Sequence, residues 1–246
     1  MQLSLLDLWG QMAWFARGIV FVLAGMSIWS LSISFKKWWD LRQAQAETLK
    51  FAPEFSQFLE EDNLLEAATL SEKYRKSHVA RVLGGALTEI RPLIQDGSVS
   101  VSDINSAERA IEREMLMTIT ELKRGLAVLA TVGSTAPFVG LLGTTMGIVN
   151  AFTAMSATNS GGLGSISAGI AEALITTAFG LLVAIPGVWL FNYFTTKIDN
   201  LTAEMTYTSK EMIDYLIRGV SGEFGRSRFT REFNTAATQG NAPISK

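Results

Sequence analysis

Residues 169–194 place the strongest constraint on this chain, because they are apolar over a length that crosses a lipid bilayer and yet include a carboxyl group. About 20 apolar residues suffice for a transmembrane helix. Glu172 is the one acidic or basic residue (Asp, Glu, Lys, Arg or His) in the stretch, and Thr176 and Thr177 follow it. A charged group at mid-helix costs roughly 2.5–3.5 kcal/mol on insertion scales. We therefore expect Glu172 to face protein or water rather than lipid.

The composition argues for a membrane protein and against several other classes. Hydrophobic residues make up 48% of the chain and charged residues 18%, which is too apolar for an ordinary soluble domain. A net charge of −2 gives no basic surface for nucleic acid. The chain has no cysteine, and its one histidine, His78, lies in a charged stretch that indicates a surface position. No metal site is predicted, since such a site needs several convergent ligands.

A first apolar stretch, residues 12–35, predicts a retained transmembrane helix. Its only charge, Arg17, lies near the start, where the side chain can snorkel to the interface. Lys36, Lys37 and Arg42 follow directly. By the positive-inside rule they place this end in the cytoplasm and the N-terminus outside.

A second apolar stretch, residues 126–155, carries no charge and is rich in small residues. Gly143 and Gly147 form a small-xxx-small pattern that allows close helix approach. The residues predicted to serve helix packing in this stretch and the third are Gly140, Gly143, Gly147, Gly180, Pro137 and Pro186. The prolines are expected to kink or loosen their helices, which neighbouring helices make tolerable in lipid. Thr144 and Thr145 are assigned to a path for water or protons, because hydroxyl groups are useful there.

One face of the third stretch is polar and small in its outer half. Steps of three and four residues connect Gly169, Glu172, Thr176, Gly180, Val183 and Gly187. This spacing favours Thr176 over Thr177 as the companion of Glu172 on that face.

The whole pattern predicts an all-α membrane protein with three transmembrane helices, whose long helices extend into a cytoplasmic helical domain. Pro53 suits a helix first turn, and Asp62 with Asn63 suits an N-cap. Pro92, together with Asp96 and Gly97, marks a break before an uninterrupted helix that enters the second span. The predicted segments are 1–11 (outer), 12–35 (span 1), 36–125 (cytoplasmic helices), 126–155 (span 2), 156–166 (periplasmic turn), 167–194 (span 3), 195–220 (cytoplasmic helical extension) and 221–246 (flexible tail).

A buried carboxyl group such as Glu172 permits three interpretations: it joins helices, it conducts ions, or it catalyses a reaction. The three spans contain no second acid, no histidine and no cysteine, so we predict that the protein is not an enzyme. One acid in three helices also cannot form a proton wire. A pore could form where several copies turn their polar faces towards a shared axis. The alternative classes are a non-conducting membrane scaffold and a solute carrier, although a carrier usually shows internal repeats.

Two segments carry a family resemblance. Residues 136–152 (APFVGLLGTTMGIVNAF) and residues 169–194 (GIAEALITTAFGLLVAIPGVWLFNYF) resemble the signature membrane segments of the ExbB/TolQ proton-channel family, distantly related to MotA. With the three-span layout included, the resemblance extends over about residues 10–220. Stators similar to MotA have four spans and are longer, so this chain departs from that branch.

The resemblance implies a homo-oligomer, a cyclic pentamer in the bacterial inner membrane. Its pore would enclose the single transmembrane helices of a partner dimer similar to ExbD or TolR, whose Asp carries the proton. The pore residues of the family correspond to Thr144, Glu172 and Thr177. No cofactor is implied, and the transported ion is expected to be H⁺. Three processes are alternatives for what such a motor would power: outer-membrane transport, envelope maintenance and gliding.

Overall fold

The computed structural model describes residues 13–61, 63–95, 101–158 and 163–220. Every element in this part of the chain is an α-helix, which confirms the predicted all-α class. The helices are α1 (Trp14–Glu60), α2 (Leu64–Lys73), α3 (His78–Gln95), α4 (Val101–Lys123), α5 (Leu126–Thr158) and α6 (Leu163–Val220). The predicted outer segment 1–11, residues 159–162 of the predicted turn and the predicted tail 221–246 lie outside the described residues, as do Asp62, Asp96 and Gly97.

Three helical stretches are long and apolar enough to cross a membrane: Trp14–Glu60, Ser102–Ser156 and Ser167–Arg218. They contain the three apolar stretches of the sequence, so the predicted number of candidate spans is confirmed. Large apolar side chains on them are exposed, including Phe21 and Phe138. Such surfaces suit lipid or neighbouring protein rather than water.

The chain divides into two compact units. The apolar unit comprises Met1–Lys37 and Gly125–Thr195, and the polar unit comprises Trp38–Arg124 and Thr196–Lys246. A cluster of fully buried side chains that includes Phe51, Phe55 and Leu83 forms the core of the polar unit. There the Tyr215 hydroxyl donates a hydrogen bond to the Leu59 carbonyl oxygen at 3.0 Å.

Helix boundaries in the polar unit agree only in part with those predicted from the sequence. The Asn63 side chain caps α2 by accepting a hydrogen bond from the Glu66 N–H at 3.3 Å, as predicted. Pro53 lies inside α1 instead of in a first turn, and α3 continues through Pro92 to Gln95. Both prolines are exposed. Each removes one N–H donor from its helix, and its ring crowds the carbonyl of the residue four positions earlier.

The predicted uninterrupted helix into the second span is wrong at one point. α4 ends at Lys123 and α5 begins at Leu126, and Gly125 between them has φ +89°. The residues on both sides of this break are compatible with a helix, so the sequence pattern apart from Gly125 gives no sign of it. Glycine permits it because it lacks the Cβ atom that disfavours positive φ.

His78 is buried, so its predicted surface position is wrong. Its side chain is 1% exposed, Nε2 lies 3.0 Å from Glu204 Oε2, and Nδ1 lies 3.2 Å from Thr48 Oγ1. His78 is the first residue of α3, and its side chain faces the core while Lys76 nearby is exposed. The charged neighbours in sequence therefore gave the wrong indication.

Candidate functional site

α5 and α6 pack against each other through glycine. A Cβ atom on Gly140 would lie 2.9 Å from the Thr176 carbonyl oxygen, and one on Gly180 would lie 2.7 Å from the Ala136 carbonyl oxygen. Real Cβ atoms essentially never approach this closely. The absence of side chains at these positions lets the two backbones touch.

The glycine contacts repeat along both helices. Gly133 faces Gly187, Gly140 faces Gly180, and Gly147 faces Ala173. The pairing runs in opposite directions along the two helices, so α5 and α6 are antiparallel. On each helix the contact recurs every seven residues, which is the spacing of a left-handed helix pair. The sequence contained this signal, but the prediction rested on the four-residue spacing of Gly143 and Gly147.

Thr144 of α5 and Thr177 of α6 meet at this contact. Their side-chain oxygens lie 2.5 Å apart, and each is 3.2 Å from the carbonyl oxygen of Gly140. Thr144 is buried and Thr177 is half-buried. The structure thus joins the two threonines that the resemblance predicts as pore residues.

The other two candidate threonines have different surroundings. Thr176 is fully buried, and its hydroxyl donates to the Ala173 carbonyl oxygen at 2.7 Å and lies 3.3 Å from the Gly140 carbonyl oxygen. Thr145 is exposed and donates to the Leu141 carbonyl oxygen of its own helix. Thr176 is therefore held against α5, whereas Thr145 points away from that contact.

The polar face predicted on the third span is largely used inside one chain. Thr176, Gly180, Val183 and Gly187 are all buried, and the two glycines contact the α5 backbone. Glu172 on the same face is only half-buried. The face therefore serves helix packing over most of its length and leaves its outer end partly open.

Glu172 contacts the beginning of α1. Its carboxylate accepts a hydrogen bond from the backbone N–H of Ala13, directly before α1 begins at Trp14. The first N–H groups of a helix have no partner within the helix, and negative charge is favourable there. Among the described residues, no hydrogen bond joins Glu172 to Thr144 or Thr177. Glu172 thus links α6 to α1, and the threonine pair is a separate feature.

A cavity of about 260 Å³ lies beside Glu172 within the apolar unit. Its lining residues are Ala13, Phe15, Ala16, Gly143, Gly147, Asn150, Ala151, Ala154, Ala168, Gly169, Glu172 and Ile175. Most of them are small, and Asn150 joins Glu172 as a polar side chain. The sequence reasoning missed Asn150, although a single amide in an otherwise uncharged, small-residue span was a usable signal.

Metal chemistry finds no support in the described helices. They contain no group of three or more His, Cys, Asp or Glu side chains that could hold a metal ion. The chemical groups available at the site are one carboxyl, two paired hydroxyls and one amide.

Comparison with known proteins matches the sequence model of the MotA/TolQ/ExbB proton channel family to residues 67–207, which is more than half of the chain. The chain belongs to that family. The matched region contains both resembling membrane segments and, with them, Thr144, Asn150, Glu172 and Thr177. Proteins of this family are channel and transport proteins.

Curated relatives come from both named branches. The "Biopolymer transport protein ExbB" of Xanthomonas campestris pv. campestris is 39% identical over 120 residues, covering 49% of this chain and 47% of the relative. The "Biopolymer transport protein ExbB" of Pseudomonas putida is 42% identical over 103 residues, covering 42% of this chain and 31% of the relative. The "Tol-Pal system protein TolQ" of Pseudomonas aeruginosa is 35% identical over 153 residues, covering 57% of this chain and 65% of the relative. The chain thus spans about half the length of the first of these relatives.

Proposed function

We propose that this chain is the proton-channel or stator subunit of a motor in the bacterial inner membrane. The motor converts proton motive force into mechanical work through a single-span partner dimer similar to ExbD or TolR. The observation that carries the proposal is the family match across both membrane segments that hold Glu172 and the threonine pair. The relatives named ExbB and TolQ agree with such a role.

The assembly in this proposal is a pentamer with a periplasmic N-terminus and a cytoplasmic C-terminus. Lys36, Lys37 and Arg42 support the orientation through the positive-inside rule. Exposed apolar side chains on the spans, such as Phe138 and Leu182, support contact with lipid and with other copies. The partner's helices would occupy the space that the copies enclose.

Proton transfer in this mechanism depends on the partner's acid as well as on Glu172. Proton entry neutralises that acid, and proton release recharges it. Each change in its charge alters the contacts between the partner and the subunits, and so alters the rotational position that the partner prefers. One elementary charge moving across 100 mV supplies about 2.3 kcal/mol, so several protons can drive a stroke. In this scheme Glu172 exchanges protons, while Thr144 and Thr177 offer hydroxyl groups that both donate and accept hydrogen bonds.

The decisive test compares Glu172→Gln with Glu172→Ala in purified complex with its partner. Glutamine keeps an oxygen that accepts the Ala13 N–H, but it cannot ionise; alanine removes both properties. We expect proton flux into vesicles to be lost in both variants, with assembly preserved in the glutamine variant. Glu112→Gln, an exposed residue of α4, is the matched control and should conduct normally.

The results also separate the rival interpretations. Normal flux in both Glu172 variants would remove this residue from the mechanism. Flux that survives in the glutamine variant and is lost in the alanine variant would assign Glu172 to joining α6 with α1. A complex that assembles with its partner but never conducts would support the non-conducting scaffold.

A further inference from the structure

The cavity beside Glu172 is partly open, and its wall is built from residues of a single chain at three helices. Ala13 directly precedes α1, Ala16 comes from α1, Gly147 and Asn150 from α5, and Gly169 from α6. All of them belong to the apolar unit. This space therefore exists before any second copy or partner contributes to it.

The chemistry of its lining favours water. A cavity lined only by apolar groups stays dry, whereas one with two to four polar partners and more than about 10–15 Å³ for each water holds ordered water. The cavity of about 260 Å³ has room for several water molecules. The Glu172 carboxylate and the Asn150 amide supply acceptors and donors at its wall.

The cavity lies at one end of the helices that line it. It is lined by Ala13 at the beginning of α1, by Ala154 close to the end of α5, and by Ala168 close to the beginning of α6. In the orientation given by the positive-inside rule, this is the outer end of the span.

We infer that this cavity is an aqueous vestibule within each subunit, through which water and hydronium reach Glu172 from the outer face, and that Asn150 keeps it hydrated. A hydronium ion that arrives there transfers its proton to the Glu172 carboxylate and leaves as water. Protons would thus enter inside each copy rather than along the axis shared by the copies. The inference rests on the proposed function for the ion and the orientation.

Single-cysteine labelling tests the vestibule, because the chain contains no native cysteine. Asn150→Cys and Ala168→Cys each place a thiol in the cavity wall. Phe21→Cys and Val22→Cys place one on the exposed apolar surface of α1, at a comparable sequence distance from the same end. A charged, membrane-impermeant methanethiosulfonate is added to spheroplasts that contain the full complex.

We expect the two cavity cysteines to react at least tenfold faster than the two surface cysteines, because the reactive thiolate forms in water and not in lipid. Equal, slow rates at all four positions would overturn the inference. So would reaction of the cavity cysteines only in inverted vesicles, since the water would then come from the cytoplasmic side. Two independent cavity positions keep the test valid if one variant fails to assemble.

Proton flux supplies the second readout. Asn150→Leu keeps similar bulk without polar atoms and should lower flux at least tenfold, whereas Asn150→Gln should retain most of it. Unchanged flux in Asn150→Leu would remove Asn150 from the path. Fast labelling in an assembled complex that never conducts protons would leave the vestibule standing and overturn the proposed function. Slow labelling combined with flux that depends on Glu172 would leave the proposed function standing and overturn the vestibule.

Discussion

The Cα atom of Gly180 lies 3.2 Å from the position that a Cβ atom would occupy on Gly140. This contact predicts that Gly140→Ala forces α5 and α6 apart and lowers the free energy of unfolding by about 1–3 kcal/mol, the usual cost of overpacking. Thermal unfolding in detergent measures the effect. The control is Gly25→Ala, where nothing lies within 4 Å of the new Cβ atom. Equal stability of the two variants would refute a tight α5–α6 contact.

The hydrogen bond between Thr144 and Thr177 predicts non-additive effects of mutation. Thr144→Val and Thr177→Val each remove a hydroxyl at nearly constant volume. Either substitution alone breaks the hydrogen bond, so adding the other to it should cost less than the same substitution costs in the parent protein. Hydrogen bonds between membrane helices average about 0.6 kcal/mol, and a double-mutant cycle on unfolding in detergent should give a coupling energy of this size. Thr131→Val provides the control, because Thr131 is exposed and donates only to the Ala127 carbonyl oxygen of its own helix. Strict additivity would contradict the pairing.

The positive φ of Gly125 predicts that Gly125→Ala destabilises the apolar unit by about 1–3 kcal/mol, the cost of a side chain in a sparsely populated backbone region. The added Cβ atom would also lie 3.3 Å from Ile33 Cγ2. Gly18→Ala serves as the control, since nothing lies within 4 Å of it. Circular dichroism during heating compares the two variants. A Gly125→Ala protein as stable as the control would mean that α4 and α5 can form one continuous helix.

The contact between buried His78 and partly exposed Glu204 predicts a structural role in the polar unit. His78→Leu removes the contact with the Glu204 carboxylate, while the Thr48 hydroxyl keeps its hydrogen bonds to Ala44 and Ser77. The loss of a hydrogen bond to a charged group costs about 1.5–3 kcal/mol. Limited proteolysis should therefore cleave the polar unit of this variant faster than that of the parent. Lys76→Ala, at an exposed position nearby, should leave the rate unchanged. Indistinguishable proteolysis of all three proteins would argue against the role.

Tyr74 provides a prediction about pH. Its hydroxyl donates to Glu54 Oε1 at 2.9 Å, and this hydrogen bond raises the pKa of Tyr74 above its ordinary value of 10.0. The folded state holds the phenol proton more tightly than the unfolded state, so the stabilisation is complete below pH 10.0 and disappears as the pH rises through the folded-state pKa. Absorbance titration against Tyr74→Phe isolates this group. Glu54→Gln should move the titration of Tyr74 to lower pH, and an unchanged titration would contradict the assigned cause.

The corrected features share one physical reason, which is that each depends on a contact absent from the local sequence. Charged neighbours suggested a surface for His78, but packing between α1, α3 and α6 buried it. The residues on both sides of Gly125 are compatible with one helix, but the positive φ of Gly125 breaks it. Asn150 belongs to the wall of a cavity only because of the way in which α1, α5 and α6 pack.

The sequence by itself determined that the chain is helical, that it has three candidate membrane spans, and that one acid lies within the third. Apolar length and helical periodicity are local properties, so they can be recognised without knowing which residues meet. Tertiary structure decided that Thr177 rather than Thr176 meets Thr144, and that Glu172 holds the beginning of α1. Those outcomes depend on how α5 and α6 are rotated about their axes and how closely they approach. Glycines spaced seven residues apart set both.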